Sequence, residues 1–132
     1  MHPPNPNPYQ FSNKLDIAFL NDLFEGDTAY AIVVFGDFLK DMPSYWTEIE
    51  QSYAKGNTND LRAAIHKCKT LFGYVGHTEV LEIFQNFESK CSITSDIKEL
   101  SEDFKALQEH KITAEAIINQ EYNRLKQYHQ SA

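Results

Sequence analysis

The sequence predicts an all-α protein: an up-down-up-down four-helix bundle with an additional short helix at its N-terminal side. Three observations lead there. Apolar residues recur in alternating steps of three and four along most of the chain, the spacing of one helical face. Glycine is scarce, five among 132 residues, and proline is mostly confined to the first eight positions, so long helices meet few breaks. No stretch alternates apolar and polar residues as a half-buried strand would.

Taken in order, residues 1–12 read as a flexible Pro/Asn-rich tail, disordered or loosely docked, because X-Pro steps disfavour helix and the segment offers no core. The folded domain is expected over 13–130. A short amphipathic helix covers 13–24 and stops at Gly26. Asp27 or Thr28 caps the next helix, which turns Ala31, Phe35, Phe38, Met42, Tyr45 and Ile49 inward. Pro43 lies inside that pattern and should bend the helix or open one turn without ending it. The turn Gly56-Asn57-Thr58-Asn59 starts a third helix with Leu61, Ile65, Cys68, Phe72 and Val75 inward, and Gly76 closes it. His77-Thr78-Glu79 opens a fourth, burying Val80, Phe84, Phe87 and Cys91. From Ile97 the stripe continues through Leu100, Phe104 and Leu107, with helix to about residue 128 and a break expected near 110–113.

Composition narrows the function. A net charge of −7 argues against nucleic acid, which calls for a basic face. No run of about 18 apolar residues is available to span a membrane, and the Met-His-Pro-Pro start has no basic or apolar segment of a secretory signal. Cys68 and Cys91 sit at apolar-stripe positions and read as buried free thiols, as in a reducing cytoplasm, and a monomer is expected. No Glu-x-x-His occurs and no two histidines are four residues apart, so a metal enzyme is not expected.

The third helix carries the functional signal. His66 projects roughly 140° from the middle of the apolar stripe, with Arg62, Lys69, Thr70 and Gly73 on the same side. An exposed imidazole is a good nucleophile near neutral pH. A lysine one turn away can offer a cation to a phosphoryl group, and a bare glycine farther along lets a partner approach. The other histidines, His2, His77, His110 and His129, have no motif around them.

His66, Lys69, Gly73 in a stretch of small residues, and Gly76 ten residues after the histidine resemble the motif of histidine-containing phosphotransfer (HPt) domains, the His-to-Asp relay modules of multistep two-component signalling. The run Leu15-Asp-Ile-Ala-Phe-Leu-Asn-Asp-Leu-Phe-Glu-Gly-Asp27 also resembles the family's opening helix and Gly-Asp turn. The resemblance covers roughly 15–128, and its specific part is the segment around His66. Thr70 departs from the pattern, in which glycine usually follows the lysine directly.

The resemblance implies a phosphoryl relay between receiver-domain aspartates, with phosphohistidine at His66, charge stabilisation by Lys69, and Arg62, Thr70 and Gly73 meeting the partner. Gly76 has a structural role as the helix cap. The chain itself would need no cofactor, since the Mg²⁺ for transfer belongs to the receiver. Its partners would be response-regulator receivers, free or within a hybrid histidine kinase. ATP-dependent autophosphorylation is not expected, because the chain has no Gly-rich nucleotide loop. The alternative is a non-catalytic HPt-like adaptor that binds receivers without carrying phosphate, a reading that Thr70 favours mildly. Met1 and the Pro-rich tail weigh toward a free-standing relay over an excised domain.

Overall fold

The structure, a computed structural model, describes residues 8–131. Among them are five α-helices, α1 (Ile17–Phe24), α2 (Thr28–Ala54), α3 (Thr58–Tyr74), α4 (Thr78–Cys91) and α5 (Ser101–Ser131), with a 3-10 turn at Ile97–Leu100 leading into α5. Three helices begin at side-chain caps of the expected type. Asp16, Asp27 and Asn57 each accept the backbone N–H three residues on, at 3.1, 3.0 and 3.0 Å.

The stripes read from the sequence form the core. All five inward residues named for α3 are buried, as are all four named for α4. α2 packs on α3 and α5, α4 packs on α3 and α5, and α1 lies on α2. Aromatic rings tie the layers together: Phe38 meets Phe72, Phe72 meets Phe84, and Trp46 stacks on Phe104. Among the described residues, no helix is long and apolar enough to cross a membrane.

Four details differ from the sequence reading. First, the tail expected over 1–12 gives way to a docked segment from Tyr9: Phe11 is in the core between Phe24 and Phe35. The anchor is Glu121, buried on α5, whose carboxylate accepts from the Tyr9 hydroxyl, from Arg124 and, at 2.6 Å, from the Ser12 N–H. The expectations for residues 1–7 fall outside the described residues. Second, the first helix starts at Ile17, four residues later than expected, because Asp16 supplies the cap. Third, in α2, which continues past Pro43 as expected, Trp46 takes the buried place expected for Tyr45, which is only half-buried. Fourth, the break expected near 110–113 is absent. Lys111 spans that polar stretch, its ammonium 5.1 Å from the Trp46 ring centre and 2.6 Å from Glu115. A lysine stem laid over an apolar surface does the work of an apolar residue there.

Candidate functional site

α3 presents His66 to solvent, with 62% of its side chain exposed. The helix explains this directly, since Ile65 and Cys68 beside it are fully buried and fix the phase. Across from it runs α4, folded back on α3 through the Gly76 turn, with Phe72 against Phe84.

The imidazole is not free on both nitrogens. Its Nδ1 lies 2.7 Å from Oε1 of Glu88 on α4. The other oxygen of the same carboxylate accepts from Lys69 Nζ at 2.6 Å, and Lys69 also donates to the side chain of Gln85. One carboxylate therefore clasps the two residues singled out in the sequence. Glu88 and Lys69 are 14% and 15% exposed, so this contact is largely shielded from water, unlike the ring it holds. Burial alone raises the Glu88 pKa, but the hydrogen bonds from Lys69 and His66 outweigh it and hold the carboxyl below its ordinary 4.5.

The clasp has a chemical consequence. A carboxylate acceptor at Nδ1 favours the tautomer with its proton there, which leaves the Nε2 lone pair for an electrophile. Nε2 has no protein partner among the described residues. Lys69 sits less freely than the sequence reading had it, because its ammonium is already committed to Glu88 and Gln85. It still shares one carboxylate with the ring, which keeps a cation beside the imidazole.

The other expected residues fall around this centre. Arg62, one turn before His66, is exposed and makes no ion pair among the described residues. Thr70 is exposed, and its hydroxyl donates to the Lys67 carbonyl at 2.8 Å, so it is turned onto its own helix. At Gly73 an added Cβ would meet nothing within 4 Å, so that face of α3 is open. Gly76 differs: its φ is +67°, and a Cβ there would come within 2.9 Å of Leu20. Its carbonyl accepts from the Asp16 N–H at 2.8 Å, tying the start of α1 to the end of α3. Lys67 pairs with Glu48 on α2 at 3.1 Å, and both side chains are about half exposed.

Beyond Gly73, an open groove of about 410 Å³ runs between α1, α2 and α3. Leu23, Tyr30, Phe38, Leu71 and Tyr74 are among its lining residues. Tyr74 and Tyr30 are 61% and 49% exposed, unusual for large aromatic side chains on one face.

The two residues that the sequence reading missed are Glu88 and Gln85. A signal was available. His66 lies ten residues before Gly76 and Glu88 twelve after it, so a hairpin of two helices brings them to the same level. Cys68 and Cys91 are buried free thiols, and burial pushes them up to about 12 and about 11, which keeps both protonated and unreactive.

Compared with family models, curated proteins and solved structures, the chain matches none.

Proposed function

We propose that the chain is a histidine phosphotransfer protein of the HPt type, accepting a phosphoryl group on His66 from the aspartyl phosphate of one receiver domain and passing it to another. The observation that carries this reading is the clasp: an exposed imidazole, held through Nδ1 by a shielded carboxylate that also holds a lysine, with Nε2 open to solvent. The arrangement of α2 to α5 as an up-down-up-down bundle belongs to the same reading. It is supported by Phe38 on Phe72, Phe72 on Phe84 and Phe87 on Phe104 along successive helices, and by Tyr53 on Phe104, which brings α5 back to α2.

The proposed step balances simply. The Nε2 lone pair attacks phosphorus, an N–P bond forms, and the P–O bond to the receiver aspartate breaks, releasing its carboxylate. The Nδ1 proton stays on the ring and keeps its hydrogen bond to Glu88, so the cation created by attack is offset where it forms. Lys69 stabilises the phosphoryl oxygens as their charge spreads. The receiver approaches over Thr70 and the bare backbone of Gly73 and rests in the groove of α1, α2 and α3. In the reverse transfer the same groups act in the opposite order.

Incubation with receiver domains carrying aspartyl phosphate, followed by assay of acid-labile phosphate on the chain, tests the proposal. Wild type should become labelled and His66→Gln should not, with its thermal midpoint nearly unchanged, since an exposed position carries little stability. Binding without labelling would instead favour the adaptor alternative. Labelling of His66→Gln would refute His66 as the site.

A further inference from the structure

The groove beside His66 has a charge pattern that its apolar lining does not require. Asp37 and Asp41 lie one helical turn apart on α2 and form part of the groove wall, alongside Tyr30 and Phe38. Both are exposed. Neither carboxylate makes an ion pair or side-chain hydrogen bond among the described residues, although Lys40 lies between them in sequence. Most other cations near the site are already committed: Lys67 to Glu48, and Lys69 to Glu88. The wall therefore carries two uncompensated negative charges over an apolar floor, on a chain whose net charge is −7.

We propose that this groove selects receivers by charge. Its occupant is an amphipathic helix of the receiver that places apolar residues on Leu23, Tyr30, Phe38, Leu71 and Tyr74, and two basic residues about one turn apart against Asp37 and Asp41. The inference rests on the phosphotransfer reading of His66 and names the kind of partner that site serves. Apolar burial supplies affinity and is nearly blind to identity, whereas complementary charge at the rim excludes acidic competitors and speeds encounter. The low-dielectric floor strengthens these pairs relative to pairs on an open surface. Leu71 and Tyr74 follow His66 by one to two turns, a rise of about 8–12 Å along α3. A helix seated there stands beside the imidazole without covering it.

The test uses the full chain and the receiver domains of the same organism, keeping those that exchange phosphate with wild type. Affinity is measured at low and high salt for wild type, for Asp37→Asn/Asp41→Asn, and for Asp37→Lys/Asp41→Lys. Wild-type binding should weaken with salt. The double Asn variant should bind about 3- to 20-fold more weakly at low salt and lose most of that salt dependence. The double Lys variant should bind more weakly still, and reversing the basic pair on the receiver should restore it. Phosphate exchange with unchanged affinity in the Asn variant would overturn charge selection and leave the function of His66 standing. If no receiver exchanges phosphate with wild type, the phosphotransfer reading falls, and this inference falls with it.

Discussion

Glu88 is the residue on which the chemical reading turns, so Glu88→Ala is the most informative perturbation. It removes both carboxylate oxygens, at 2.7 Å from His66 Nδ1 and 2.6 Å from Lys69 Nζ. The contact with Lys69 is largely shielded, and a charge-assisted hydrogen bond there contributes about 1–2 kcal/mol. Gln85 still accepts from Lys69, which keeps the loss toward the lower end. For a domain of this size that corresponds to a fall of about 3–6 °C in Tm. The effect on rate should be larger in proportion. A ring with no acceptor at Nδ1 samples both tautomers and several orientations, and misplacement of a reacting group can cost about 100-fold. We expect phosphate acceptance from a receiver to slow about 10- to 100-fold in single-turnover assays, while receiver affinity changes little. Histidine ¹⁵N spectra should shift from the Nδ1–H form toward a mixture. Glu88→Gln, which can still accept at Nδ1 through its carbonyl, should recover part of the rate. If Glu88→Ala takes phosphate as fast as wild type and its spectrum is unchanged, the clasp is only an exposed ion pair and the positioning argument fails.

Three further outcomes follow from the same geometry. Lys69→Ala should slow transfer more than it weakens receiver binding, because a cation aimed at developing charge acts in the transition state; equal losses would make it a docking residue. Gly73→Ala should stabilise α3 by about 0.5–1 kcal/mol in urea melts, since its Cβ enters open space, whereas Gly73→Gln should slow transfer by crowding the approach; unimpaired transfer in the Gln variant would move docking elsewhere. His77 is buried with neither ring nitrogen hydrogen-bonded, and burial lowers its pKa below the ordinary 6.5. The unfolded chain therefore binds a proton that the folded one resists. Stability should fall as pH drops below 6.5, by at most about 1.4 kcal/mol per unit from this residue, and His77→Leu should flatten that slope. An identical slope in the variant would assign the acid sensitivity to other groups.

Much of this molecule was legible because helical phase is a local property. Leu61, Ile65, Cys68, Phe72 and Val75 are buried and His66 is not, as their spacing alone requires. Errors arose where a contact joined distant parts of the chain or where the repeat drifted. Tyr9 and Phe11 are held through Glu121, more than a hundred residues away, and no local pattern encodes that. In α2 a strict alternation of four and three steps assigns Tyr45 to the core. A straight helix turns 3.6 residues per turn and drifts from that repeat, so after Met42 the next inward place falls at Trp46. The apolar pattern lapsed near 110–113, yet α5 continues, because the stem of Lys111 covers Trp46. Glu88 escaped notice because a carboxylate on the flank of an amphipathic helix looks like any solvated charge. Only its level opposite His66 distinguishes it.

The two sides of α3 differ in character. On the α4 side, Glu88 holds the exposed His66 ring through Nδ1 and, with Gln85, holds Lys69 in a largely shielded contact, which suits a reacting group that must be presented in one orientation. On the α1 and α2 side, the surface is open, apolar and negatively rimmed, which suits a partner that must arrive and leave. The proposed relay would need both properties at once. Tight binding on the reacting side would trap the phosphoryl group, and a loose imidazole on the docking side would waste each encounter. Gly76 joins the halves: its backbone, which leaves no room for a Cβ beside Leu20, fixes where α1 sits relative to the end of α3. Thr70 lies between the two sides with its hydroxyl bonded to its own helix, so it adds little more than a methyl group to the approach. That small volume is compatible with docking, which is why its presence does not by itself favour the adaptor over the relay.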